Sequence, residues 1–216
     1  MSGKRIVITG AASGIGAAAV AQHLADGDQV VALDVKPITA KVQQALRCDM
    51  ADPASISAAL AAIDGPVDAL LNIAGLPGTV APELIMRVNT LGLRAITQGL
   101  IDRLQRGGAI VNVASIAGFN WARHMKDINE LLATPSYEAG VEWCAAHPMD
   151  GNTAYHFSKE CVVVYTMQMA GPALARGLRC NSVSPGPVAT PLLPDFKEQA
   201  GSGQIEWVID GIGRAA

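Results

Sequence analysis

Tyr155 and Lys159 are four residues apart in the stretch Tyr-His-Phe-Ser-Lys. In a helix that spacing is about one turn, so a phenol and an ammonium share one face. A cation beside a phenol favours the phenolate and lowers its pKa. A tyrosine that titrates near 10 in water then becomes an acid or base usable near neutral pH. The same pair also fits a solvated helix face, so the elements around it must decide between the two readings.

Those elements alternate in type along the chain. Residues 5–9 form a short apolar run that ends in the turn Thr9-Gly10-Ala11-Ala12-Ser13-Gly14-Ile15-Gly16, and an Ala-rich helical pattern follows to about residue 25. Strand, glycine turn and helix give the context in which a backbone can approach a pyrophosphate at a helix N-terminus. Residues 29–34 read as a second strand ending in Asp34, placed to accept hydrogen bonds from an adenosine ribose and to repel a 2′-phosphate; Lys36 weakens that preference a little. Residues 43–50 read as a third strand that brings Asp49 and Met50 to the adenine edge, and Asp52-Pro53 starts a helix. A fourth strand at 67–72 ends in Asn72, followed by Ala74-Gly75, so the Asn is expected to face the ligand crevice.

A helix is predicted over 81–106, stopped by Gly107-Gly108, with Asn89 inside it as the mark of a function or a kink. Residues 109–115 form a nearly continuous apolar strand ending at Ser115. Helices are expected near 127–132 and 137–146, and a long one over 152–175 carries the Tyr/Lys pair. A strand at 178–183 leads into Pro185-Gly186-Pro187-Val188 and Thr190-Pro191, and a further helix is expected around 205–209. The fold class is therefore α/β, a Rossmann-type doubly wound parallel sheet with helices on both faces.

Composition narrows the function. The 216 residues are 50% hydrophobic and 16% charged, which suits one globular unit with a sizeable core. A net charge of -3 gives no footprint for nucleic acid. Neither a signal peptide nor an apolar run of membrane-spanning length is seen, and Cys48, Cys144, Cys161 and Cys180 lack metal-ligand spacing. A cytoplasmic protein with reduced thiols and no metal is expected.

The ordered set resembles the short-chain dehydrogenase/reductase family. The matching residues are Thr9-Gly10 with Gly14-Ile15-Gly16, Asp34, Asp49, Asn72-Ile73-Ala74-Gly75, Asn89, Ser115, Tyr155 with Lys159, and Pro185-Gly186. The resemblance covers essentially the whole chain. It implies a nicotinamide cofactor, read here as NAD, with Tyr155 transferring a proton and Lys159 holding the nicotinamide ribose. It also implies that Ser115 holds the substrate oxygen and that Asn89 supports a water chain. Ser13, Met50, Asn72, Val188 and Thr190 join the expected cofactor contacts. A homodimer or homotetramer is implied as well.

Three departures stand out. Ile73 replaces an Asn often found there. The segment at about 116–151 is a helical insertion, long as in 3α-hydroxysteroid dehydrogenase/carbonyl reductases and in bacterial coniferyl-alcohol dehydrogenases. The family pattern also continues through a helix and a strand that are not present here. Phe119, Trp121, Tyr137 and Trp143 lie in the insertion, where they wall a pocket for a flat apolar substrate, simply pack the insertion onto the domain, or form a subunit contact. Leu192-Leu193, Phe196 and Trp207 are candidates to close over such a ligand. The expected activity is oxidation of an apolar, ring-bearing alcohol or reduction of its ketone or aldehyde, coniferyl-alcohol-like first and hydroxysteroid second. A non-catalytic dinucleotide sensor is the competing class, and it has no need of the proton-transfer pair. His147, His156 and the cysteines are expected to stand outside the chemistry.

Overall fold

The computed structural model describes residues 3–200 and, beyond them, residues 203, 206, 207, 209 and 211. Six strands form one parallel sheet: β1 Arg5–Thr9, β2 Gln29–Asp34, β3 Gln44–Arg47, β4 Val67–Asn72, β5 Leu104–Val113 and β6 Arg179–Val183. Their order is β3-β2-β1-β4-β5-β6. The order reverses between β1 and β4, and a crevice opens outside the carboxyl ends of the strands at such a point. Val7, Ile8, Val30, Val31 and Ala32 are fully buried because helices cover both faces of the sheet.

Helix α1 (Gly14–Ala25) follows the glycine turn. A Cβ on Gly16 would come within 1.9 Å of the Gly10 carbonyl oxygen, so the glycine lets α1 lie against the turn. Helix α2 (Pro53–Ala62) starts as predicted, with the Asp52 carboxylate accepting from the Ala54 N–H at 2.9 Å. Helices α3 (Pro82–Met86) and α4 (Leu93–Leu100) are joined by a π-helical stretch, Arg87–Gly92, with Asn89 at its middle. Such wide turns often mark functional positions.

The helix predicted to reach residue 106 ends earlier. A short 3₁₀ turn at Ile101–Arg103 leads directly into β5 at Leu104. Gly107 and Gly108 lie inside that strand, beside an irregularity in the β4–β5 register. Gly107 takes φ +87, and its N–H donates to the Gly177 carbonyl at 2.8 Å. The glycine pair therefore lies at a bend in β5, between β4 and β6, and does not stop a helix. Ser115 lies two residues past the end of β5, where it caps a 3₁₀ turn.

Between β5 and the long helix α7 (Gly151–Ala175) lie α5 (Met125–Leu132) and α6 (Tyr137–Ala146). Arg94, on α4, organises this insertion. It is 4% exposed, and its guanidinium donates to the carbonyls of Leu131, Leu132, Thr134 and Ser136 and to the Thr134 hydroxyl, at 2.8 to 3.3 Å. Carbonyls at a helix C-terminus lack intrahelical donors, and a planar guanidinium supplies several at once.

The last helix, α8, spans Leu193–Ala200. The helix expected around 205–209 lies partly outside the described residues; the described positions there, Glu206, Trp207 and Ile209, are helical. Among the described residues, no helix is long and apolar enough to cross a membrane.

Candidate active site

The carboxyl ends of β1, β2, β4, β5 and β6 surround a cavity of about 590 Å³. One end is built by the glycine turn. Gly10 has φ +70 and Gly14 φ +53, and a Cβ on Gly10 would meet the Ala74 backbone at 2.7 Å. Ser13 makes no side-chain cap at the start of α1, so its hydroxyl does not compete for the first-turn N–H groups. Asp34 pins the turn: its carboxylate accepts from the Ala12 N–H at 2.9 Å and from the Lys36 N–H at 2.8 Å. Asp49 and Met50 line the same end. This cradle fits a nicotinamide dinucleotide, with backbone donors for the pyrophosphate and a carboxylate for the ribose.

Ser115, Tyr155 and Lys159 line the other end. Lys159 is buried, and its Nζ donates to the Val113 carbonyl at 2.9 Å. A Cβ on Gly75 would sit 3.4 Å from that Nζ, so the glycine leaves room for the ammonium. Tyr155 lies one helical turn before Lys159, whose Nζ is 6.0 Å from the centre of the ring. The expectation that the cation lowers the phenol pKa is not met. Burial is the larger effect and raises Tyr155, while a hydrogen bond from Ser115 pulls it back down. Burial also pushes the Lys159 ammonium down to about 8.

The Lys159 shift has a consequence for stability. Between about 8 and the ordinary 10.5, the unfolded chain keeps a proton on this lysine that the folded chain has released. The stability contributed by this group therefore rises with pH across that window. In denaturant titrations at pH about 8 and about 10, the difference between wild type and Lys159→Met should move in favour of wild type at the higher pH. An unchanged difference would place the lysine outside this titration.

Ile15, Ala74, Pro185, Gly186, Val188 and Thr190 also line the cavity. Asn72 and Asn89 do not. Asn72 is 1% exposed, and its Nδ2 donates to Thr97 Oγ1 at 2.9 Å and to Asn112 Oδ1 at 2.8 Å. Asn112 in turn donates to Thr166 Oγ1 at 2.9 Å. The expectation that Asn72 faces the crevice is corrected: its side chain points into a polar row between sheet and helices, because side chains alternate along a strand. Asn89 stands behind the cavity wall. Its Oδ1 accepts from the Leu76 N–H at 2.8 Å, and its Nδ2 donates to the Leu76 carbonyl at 3.0 Å and to Ser158 Oγ at 3.1 Å. It clamps the loop after β4 to the helix that carries the Tyr/Lys pair.

None of the insertion aromatics reaches this cavity. The Tyr137 hydroxyl donates to the Met50 carbonyl at 3.2 Å, Trp143 stacks on His147 and Phe157, and Phe119 is 74% exposed. Trp121, Tyr137 and Trp143 pack onto the domain, whereas Phe119 is exposed. The apolar walls instead come from Leu76, Leu84, Val88, Leu192 and Phe196, with the Phe196 ring 5.4 Å from that of Tyr155. Leu193 and Trp207 are not among the lining residues.

His147 and His156 lie outside the cavity, with their Nδ1 atoms 2.8 Å from the backbone carbonyls of Trp143 and Asn152. Cys48 lines it, but burial pushes its thiol up to about 11. Sequence reasoning missed Ser158 and Arg94, whose partners are distant in the chain.

A short chain dehydrogenase family profile matches residues 4–126. The coniferyl-alcohol dehydrogenase of a Pseudomonas species is 33% identical over 202 residues, covering 93% of this chain and 79% of that protein. The chain belongs to the short-chain dehydrogenase family. It is an oxidoreductase, and its parallel sheet flanked by helices matches that of solved members. The 2-(R)-hydroxypropyl-CoM dehydrogenase of Xanthobacter autotrophicus is 32% identical, over 89% of this chain and 80% of its own length. The solved 3-alpha-hydroxysteroid dehydrogenase of a Pseudomonas species, complexed with NADH, superposes with a TM-score of 0.76 at 31% identity, over 89% of this chain and 76% of that one.

Proposed function

We propose that this short-chain dehydrogenase uses NAD to interconvert an apolar, ring-bearing alcohol and its carbonyl compound. The favoured substrate is an aryl-allylic alcohol like coniferyl alcohol; a 3α-hydroxysteroid is second. One observation carries the reading: Ser115, Tyr155 and Lys159 line a cavity whose far end is the glycine turn and Asp34. Similarity to a relative named for coniferyl alcohol and the apolar walls beside Tyr155 support the substrate class.

When bound, a nicotinamide accepts or donates the hydride. The protein manages one proton. Ser115 holds the substrate oxygen by its hydroxyl, next to the Tyr155 phenol. In the oxidative direction Tyr155 removes the alcohol proton, and in the reductive direction it returns it. Lys159, held by the Val113 carbonyl, presents its ammonium to the ribose end of the site. Asn89 keeps the Leu76 loop and α7 in register, which places it as a positioning residue.

Four free cysteines fit a cytoplasmic setting. The reading includes assembly into two or four copies, for which sedimentation velocity is the test.

A screen of NAD reduction over coniferyl alcohol, benzylic alcohols and 3-hydroxysteroids tests the substrate class; no turnover of any ring-bearing alcohol would remove it. Asp34→Ala tests the cofactor. Losing a charged acceptor should weaken NAD by about tenfold or more and shrink its lead over NADP. An unchanged NAD-to-NADP ratio of kcat/KM would show that Asp34 does not read the ribose.

A further inference from the structure

We infer that Asp195 selects substrates that carry a hydrogen-bond donor, such as a phenol hydroxyl, remote from the carbon that reacts. This deepens the reading above and rests on it.

The polar side chains of the cavity fall into groups. Ser13, Asp34, Lys36, Cys48 and Asp49 lie at the dinucleotide end, and Thr190 packs over Gly14, with its Cβ 3.2 Å from where a glycine Cβ would stand. Ser115, Tyr155 and Lys159 serve the chemistry. Among the described lining residues, Asp195 is the polar side chain left over. Its neighbour in α8, Phe196, packs on the Tyr155 ring, so this turn of the helix covers the substrate end. The remaining side chains of the cavity lining are mostly apolar, Leu76, Leu84, Val88 and Leu192 among them.

The carboxylate is held in place. The Thr79 hydroxyl donates to Asp195 Oδ1 at 3.0 Å. Among the described residues, Oδ2 has no protein donor. Asp195 is not needed to fasten the helix, because Gln199 does so independently. Gln199 Oε1 accepts from the Gly78 N–H at 2.8 Å, and its Nε2 donates to Asn152 Oδ1 at 2.9 Å.

An ionised carboxylate accepts hydrogen bonds and cannot donate them. It therefore favours a hydroxyl at the far end of a ring, and it gives nothing to an ether, a ketone or bare hydrocarbon. Asp195 is half-buried and its contact with Thr79 is open to solvent, so water serves the carboxylate in the free site. A bound ring that displaces this water without supplying a donor is penalised, and this makes the donor a selection rule.

Three alcohols separate the donor from size and ring electronics: 4-hydroxycinnamyl alcohol, 4-methoxycinnamyl alcohol and cinnamyl alcohol. Wild type with NAD should favour the phenol over the other two in kcat/KM by about tenfold to a hundredfold, as expected of a hydrogen bond to a charged group. Asp195→Leu should bring the ratio to within about threefold of unity, and Asp195→Asn should lower it part of the way. Gln199→Ala loosens α8 without touching the carboxylate and should keep the ratio. Thermal melting and an NADH fluorescence titration establish that each variant is folded.

Equal kcat/KM for the three alcohols in wild type would overturn this inference alone. So would a ratio that survives in folded Asp195→Leu. Failure of wild type to oxidise any of the three, with turnover of acyclic alcohols only, would overturn the ring-bearing reading and this inference with it.

Discussion

Tyr155→Phe should lower kcat by about 10³-fold, the middle of the range for losing a positioned acid/base. It should leave the affinity for NADH within about threefold, because a side chain that acts only on the proton adds little to ground-state binding. The geometry supports this separation. Tyr155 is 6% exposed, and its ring is held by burial and by contact with Phe196. Among the described residues, Ser115 is the side chain that draws its phenol toward ionisation. Phenylalanine keeps the ring and removes only that oxygen, so the melting temperature should hardly move. Single-turnover kinetics and a fluorescence titration of NADH measure the two quantities. Turnover within tenfold of wild type would take Tyr155 out of the mechanism.

Arg94→Leu should have the largest effect on stability. Its guanidinium supplies the donors for four carbonyls and a hydroxyl around the turn between α5 and α6. Leucine fills the space and removes five hydrogen bonds to a charged donor. Leu131 keeps Thr134 and Ser136 keeps Gly140 as donors, but the Leu132 and Thr134 carbonyls lose their side-chain partner, at about 3 kcal/mol or more in all. For a chain of this size, that corresponds to a fall in melting temperature of roughly 6–12 °C. Arg94→Lys should recover little, because one ammonium cannot reproduce a planar fork. Burial disfavours the charged guanidinium, so the site depends on the full set of bonds. A melting temperature within two degrees or so of wild type would show that the insertion is held by other contacts.

The parts legible in the sequence were those fixed by local backbone demands. The strands at 5–9, 29–34 and 67–72 have the bounds their patterns predicted. Each is a short apolar run closed by a turn residue. The glycine turn, Asp34 and the Tyr155/Lys159 spacing depend on neighbours within a few positions, and all of them meet at one cavity.

The misreadings share a physical cause, since each depends on partners far along the chain. Gly107-Gly108 looked like a helix stop, but Gly177 and the edge of β4 draw the pair into a strand. Asn72 looked like a crevice residue by its position at a strand end, yet its amide finds Asn112 forty residues later. The insertion aromatics offered flat apolar surface and nothing to say which side of α7 they would cover. Arg94 sits as a lone charge in an otherwise apolar helical run, a signal that it must be buried with partners. Those partners lie 37 to 42 positions away, where no spacing rule reaches.

The Tyr137 hydroxyl ties α6 to the Met50 carbonyl, at the end of the cavity opposite the reacting groups. The extra helices therefore brace the Met50 end of the cavity as well as α7, where Trp143 stacks on Phe157. Replacing this segment would disturb both ends of the cavity at once. An engineer who wishes to transplant it should carry residues 50, 87 and 94 along as one cassette.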